Sequence, residues 1–161
     1  MVMGKKEARN NWKKHDAIVL DEVSMINGEL LDRLDAVGRA VRGGGLNGVP
    51  HPLPFGGMQM IFVGDFYQLP PVSRGTVAKP FAFESAAWRG LNPEVVELTQ
   101  VFRQADPAHV ALLHQVRLGR ADREVGVWLD KCRRPLPPAS DGVLPTMLYC
   151  TRKVGRCSLT L

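Results

Sequence analysis

Two short apolar runs, each cut off by charged or polar residues, set the pattern of this chain. Ala17 to Leu20 ends in Asp21-Glu22, and Met58 to Val63, interrupted only by Gln59, ends in Gly64-Asp65. Runs this short, bounded by turn formers, predict strands. Their near-continuous apolar character predicts burial on both faces, as in a parallel sheet clad by helices. The stretch Gly57 to Val72, GMQMIFVGDFYQLPPV, organises the rest, because its strand ends abruptly in residues suited to chemistry. In open α/β sheets ligands bind beyond the carboxyl ends of the strands. Asp21, Glu22, Gly64, Asp65 and Gln68 all fall at that edge, and Pro70-Pro71 stiffens the loop that carries the glutamine.

Between the two strands a helical period predicts a helix over Glu29–Arg42, with Leu30, Leu34, Val37 and Val41 on one face. Acids lead and arginines trail, matching the helix dipole. Gly43-Gly44-Gly45 ends the helix, and the glycines and prolines of GGGLNGVPHPLPFGG, residues 43–57, predict a loop long enough to be functional. Further on, Phe81–Leu91 is a helical candidate whose Phe81, Phe83 and Trp88 are core residues or, in the alternative, platforms for stacked bases. Val95–Leu98 predicts a strand. Asp106-Pro107 supplies the cap and first residue of a helix to Leu118, closed by Gly119. A helix over Arg123–Cys132 places Val125, Trp128, Leu129 and Cys132 on one face. Residues 133–145 read as a linker, and Thr146–Thr151 as a further strand.

Composition narrows the class. With 161 residues, 45% hydrophobic and 23% charged, the chain has the balance of an ordinary globular protein with a sizeable core. No apolar run approaches the roughly 20 residues of a membrane span, and the N-terminus lacks the apolar core of a signal peptide, so an intracellular protein without a membrane partner is expected. The net charge of +5 is localised: Lys5, Lys6, Arg9, Lys13 and Lys14 against Glu7 give residues 1–15 a surplus of four. That basic N-terminal segment is either a phosphate-binding arm or a solvated lead into the first strand. Cys132, Cys150 and Cys157 form no paired ligand spacing and read as reduced thiols. His15, His51, His109 and His114 are scattered, and none is a convincing base or ligand.

An apolar strand ending in two carboxylates suits Mg²⁺ chemistry. One carboxylate serves as a hard oxygen ligand, and its neighbour orients or deprotonates an attacking water. Taken alone, Asp21-Glu22 is as readily a solvated loop. DAIVLDEVSM, PFGGMQMIFVGDFYQLPPV, FAFESAAW and VVELTQVFRQAD, in that order over residues 11–130, resemble successive motifs of the Pif (petite integration frequency) family of DNA helicases. These are superfamily-one motors that run 5′ to 3′.

The resemblance implies an α/β fold: part of a RecA-like P-loop NTPase motor domain with a parallel sheet, plus the start of the second motor domain. On that basis 1–15 is the basic segment, 16–100 the latter half of the first domain and 101–161 the start of the second. The implied activity is ATP-dependent DNA unwinding, with single-stranded or forked DNA as the sequence-independent partner, in repair, recombination and telomere maintenance, in the nucleus or mitochondrion. Asp21 would hold Mg²⁺ through its water shell, Glu22 would polarise the attacking water, Gln68 would sense the γ-phosphate of ATP, and Arg103 would stabilise the transferred charge. Asp65 fits the same motif or holds its own turn, and Ser24 suits a local hydrogen bond.

Two features depart from the family pattern. No GxxxxGK[ST] phosphate cradle occurs in the chain, nor do the late motifs of the second domain with their nucleotide-contacting arginine. The ending LYCTRKVGRCSLTL contains no asparagine where the family has one. A fragment of a helicase, inactive alone, is the expectation. A non-catalytic remnant that binds a partner, and a piece of another P-loop ATPase, remain alternatives.

Overall fold

The computed structural model describes residues 5–44, 48–72, 80–120, 122–134 and 142. Contacts group the chain into two units, 1–118 and 119–161. The first holds helix α1 (Lys6–Lys14), strand β1 (Ala17–Leu20), helix α2 (Gly28–Arg42), strand β2 (Gln59–Phe62), helix α3 (Ala86–Leu91) and helix α4 (Pro107–Arg117). The second contributes helix α5 (Arg123–Cys132).

β1 and β2 pair in parallel, with Ala17 opposite Gln59 and Leu20 opposite Phe62. Joining parallel strands requires a crossover, and α2 supplies it. Ile18, Leu20, Met60 and Phe62 turn toward the core. The expectation of two covered faces fails: Val19 is 60% exposed and Ile61 41%. Among the described residues, that side of the sheet is only partly covered.

The core gathers Val23, Leu31, Phe55, Met58, Ala82 and Ala87, with Trp12, Leu34, Phe66 and Trp88 packed around it. α2 starts at Gly28, one residue before the expected Glu29, since the Asn27 side chain accepts the Leu30 amide at 2.8 Å as an N-cap. Its buried stripe differs from the expected one. Leu31, Gly38 and Val41 are buried, whereas Leu30 is exposed. The cause is Gly38, whose missing side chain lets the backbone of Phe55 pass so closely that a Cβ there would stand 2.8 Å from the Phe55 carbonyl carbon.

The segment 48–57 has no strand or α-helix, as expected, and α2 stitches it down. The Asp35 carboxylate accepts the Phe55 amide at 2.6 Å and the Arg39 Nε at 2.8 Å. Arg39 Nη1 donates to the Pro52 carbonyl at 2.6 Å. Arg42 donates to the carbonyls of Gly56, Trp12 and His15. One helix thereby ties down the loop before β2 and the turn before β1.

Phe81–Leu91 is not one helix. A single turn at Ala82–Glu84 is followed by α3, because the buried Ser85 leaves helical geometry to cap α3 through the Trp88 amide. Asp32 of α2 accepts the Ala87 amide at 2.9 Å and fixes this corner. Phe62 stacks on Trp88 at 4.7 Å, and Phe66 meets Phe83 edge-on at 4.9 Å. These contacts place the aromatic residues in a packing cluster.

Val95–Leu98 forms no strand. Among the described residues no other strand lies beside it, so its branched side chains have no pleated surface to complete, and Val95, Val96 and Leu98 stand largely exposed. α4 begins as expected, with the Asp106 carboxylate accepting the Ala108 amide and Pro107 in the first turn. Gly119 follows it in the left-handed region. In α5 the expected apolar face is mostly bare: Val125 is buried, but Leu129 and Cys132 are exposed. The expected strand Thr146–Thr151, Cys150, Cys157 and most of the 133–145 linker lie outside the described residues.

Candidate active site

The ladder between β1 and β2 continues past the strand ends. The Val63 amide donates to the Leu20 carbonyl at 2.9 Å, and the Val23 amide donates to the Val63 carbonyl at 3.0 Å. For Val23 to return to the ladder, Asp21 and Glu22 must bulge out between the two bonds. Glu22 makes the turn in the left-handed region, φ 53 and ψ 45, a conformation that costs a side-chain-bearing residue about 1–2 kcal/mol. The Asp21 Oδ1 accepts the Glu22 amide at 2.9 Å and steadies the bulge. Both carboxylate side chains are exposed.

Gly64 lies against this corner. A Cβ on Gly64 would stand 2.9 Å from the Val23 nitrogen and 3.1 Å from Val23 Cγ1, so a side chain there would push the two loops apart. Its absence lets the turn after β2 lean on the turn after β1. Beneath them Ser24 is buried, and its hydroxyl has no hydrogen-bond partner among the described residues. The local hydrogen bond expected for Ser24 is therefore not made.

After Gly64 the chain forms a turn around the Asp65 carboxylate. Asp65 Oδ1 accepts the Tyr67 amide at 3.0 Å, the Asp65 carbonyl accepts the Gln68 amide at 3.0 Å, and the Gln68 side-chain amide stands 3.5 Å from Oδ2. From α4 the Arg117 Nε donates to Oδ2 at 2.7 Å and Nη2 to Oδ1 at 2.9 Å, a two-pronged grip. The Arg117 guanidinium also sits 4.6 Å from the centre of the Tyr67 ring. Hydrogen bonding from Arg117 holds the Asp65 carboxyl below its usual range, with the Tyr67 amide assisting and partial burial opposing. The same bond pushes the Arg117 guanidinium up, and its interactions with Tyr67 and Glu97 add to the effect.

Asp21, Glu22 and Gln68 are thus placed at one edge by adjacent strand ends. Arg103 is not. It is exposed in the irregular segment between α3 and α4 and makes no hydrogen bond or ion pair with a described residue. Arg117 was missed in the sequence, where it is one of several basic residues near a helix end. Nothing local pairs it with a carboxylate 52 positions away.

Among the described residues no three His, Cys, Asp or Glu side chains gather into a cage. Asp21 offers an exposed carboxylate with one oxygen already engaged. That suits a hard cation held through its own waters, with phosphate oxygens supplying the remaining ligands. At the opposite, amino end of the strands a shallow pocket is lined by Asn11, Trp12, His15, Ile18 and Met58, with no carboxylate among them.

A family model described as PIF1-like helicase matches residues 1–123. The ATP-dependent DNA helicase PIF1 of Mus musculus is 41% identical over 145 residues, which cover 90% of this chain and 21% of that protein. The namesake from Saccharomyces cerevisiae is 43% identical over 143 residues, covering 88% and 16%. The chain therefore spans about a fifth of the length of these relatives. Among solved structures, the Pif1 helicase from Candida albicans superposes with a TM-score of 0.83 at 32% identity, covering 99% of this chain and 35% of that one. Pif1 from Bacteroides, solved with ADP-AlF3 and single-stranded DNA, gives 0.80 at 25% identity, covering 96% and 36%.

Proposed function

Because the chain belongs to the PIF1-like helicase family, we propose that its sheet edge is part of the ATP-hydrolysing site of a DNA helicase. The work of that helicase is ATP-dependent 5′-to-3′ DNA unwinding, engaging single-stranded or forked DNA, in repair, recombination and telomere maintenance, in the nucleus or mitochondrion. Residues 16–100 belong to its first motor domain, and 101–161 begin the second. The observation that carries this reading is the pair of bonds Val63 N to Leu20 O and Val23 N to Val63 O, which brings the Asp21-Glu22 bulge and the Gln68 turn to one edge.

There Asp21 would hold the water shell of Mg²⁺ with the oxygen that the Glu22 amide leaves free. Bound Mg²⁺ would supply neutralisation of phosphate charge. Glu22, thrown outward by its left-handed turn, orients the attacking water and takes up its proton. Gln68 places a side-chain amide where the terminal phosphate is read. Arg103 reaches the transferred group from the other side of the cleft. The reading requires a phosphate-binding GxxxxGK[ST] sequence, which residues 1–161 do not contain.

The test is a chimera in which this chain replaces the matching segment of the mouse relative. Glu22→Gln should keep Mg-ATP binding while stopping hydrolysis, since it preserves shape and removes the carboxylate. Asp21→Ala should instead weaken metal-dependent nucleotide binding. Equal loss of binding in both variants contradicts the division of roles.

A further inference from the structure

α4 is attached to its unit in an unusual way. None of its residues is buried, so core packing does not hold it. What grips the turn after β2 is Arg117 in the last turn of α4, through two bonds to Asp65 at 2.7 and 2.9 Å and a face-on approach to the Tyr67 ring at 4.6 Å. The gripped carboxylate is not a free surface acid. Its Oδ1 also accepts the Tyr67 amide, its own carbonyl accepts the Gln68 amide, and its Oδ2 faces the Gln68 side chain. Asp65 is therefore the centre of the turn that carries Gln68, and Arg117 holds that centre.

We propose that Arg117 is a positioning residue for Gln68, tying the Gln68 turn to α4 so that the placement of α4 sets the placement of the Gln68 amide. The inference rests on the function proposed above for Gln68, but the tie itself does not. α4 follows directly on the segment that carries Arg103, so whatever moves that segment pulls on Gln68 through Arg117. Arginine suits the task because its planar fork fixes an angle as well as a distance, which the single ammonium of lysine does not. The bland alternative is a partly exposed surface ion pair with no consequence for the turn.

The two are separated by amide order parameters measured by NMR on the full 161-residue chain. Arg117→Ala should drop the Tyr67 and Gln68 amides from about 0.85 to below about 0.6, the rigid and flexible limits, while Val63, held by Leu20, stays rigid. Arg117→Lys should restore little. A Gln68 amide that stays rigid in Arg117→Ala overturns the proposal. If Arg117→Ala does not fold, Asp65→Asn decides, because it keeps an oxygen for the Tyr67 amide and removes the charge that Arg117 grips. The same loosening of Gln68 is then expected, and unchanged order rejects the tie.

In the chimera, Arg117→Ala should lower kcat about tenfold or more with little change in KM for ATP, the signature of a misplaced group. On a Gln68→Ala background Arg117→Ala should cost nothing further, since Arg117 acts through Gln68. Additive losses overturn the proposal. A silent Gln68→Ala would instead overturn the nucleotide-sensing role, leaving the order parameters to decide the tie.

Discussion

The Nε of Arg42 donates to the carbonyl of Gly56 at 2.7 Å, and neither residue can change without disturbing the other. Gly56 sits at φ +70, and a Cβ on it would meet the Gly38 carbonyl oxygen at 2.6 Å and Arg42 Cδ at 2.7 Å. Arg42 also donates to the Trp12 and His15 carbonyls, both at 3.0 Å, so its loss leaves three acceptors without this partner. Arg42→Ala and Gly56→Ala are each expected to destabilise the chain by about 2–3 kcal/mol in urea unfolding. The double variant should lose clearly less than the sum, because both changes break the same contact. Strict additivity would separate the two residues.

Glu22 is held in a backbone conformation that glycine and asparagine tolerate better than glutamate. Glu22→Asn should therefore raise the unfolding free energy of the chain by about 0.5–1 kcal/mol, while removing the carboxylate proposed to act on water. A loss of stability on this substitution would show that the glutamate side chain, rather than the turn, is what the fold needs.

Arg103 makes no bond with a described residue, so Arg103→Ala should leave the thermal midpoint of the chain within about 1 °C, as for a neutral surface change. In the chimera the same change should lower DNA-stimulated ATP turnover by about three orders of magnitude, within the range for an arginine that stabilises charge during phosphoryl transfer. Arg103→Lys should rescue little. Turnover within about threefold of the parent would demote Arg103 to a surface residue.

Asp65 sets a pH dependence with a definite sign. Its folded pKa lies below the ordinary 3.8, chiefly because Arg117 hydrogen-bonds it. Its contribution is therefore fully present above the unfolded value and is lost as pH falls through the depressed folded value. The stability difference between the parent chain and Asp65→Asn should stay flat from about pH 5 to 8 and shrink below about pH 4. A difference that grew on acidification would contradict the assignment.

How far the sequence revealed these features depended on how local the cause was. β1, β2 and the cap at Asp106 were legible because a run of apolar residues, or one side chain beside one amide, decides them. The buried face of α2 was misjudged because Gly38 contributes to it by having no side chain, which a count of apolar positions does not register. Val95–Leu98 has strand-forming residues but, among the described residues, no neighbouring strand, and propensity says nothing about the neighbour. The edge that gathers Asp21, Glu22 and Gln68 was legible from two strand ends. The Asp65–Arg117 grip was not, since it joins two distant elements by charge and shape alone.

The two-stranded sheet has a consequence for how the chain behaves in bulk. Val19 and Ile61 are register partners, and both point outward with Val63 nearby. Among the described residues each strand also has one side with no hydrogen-bonded neighbour. An apolar strip bordered by unpaired amides and carbonyls is a template for another strand. At raised concentration or salt, the separate chain will associate through this strip before anything in its core loosens. Turbidity will then precede unfolding on heating, and Val19→Lys or Ile61→Lys will postpone the first without shifting the second.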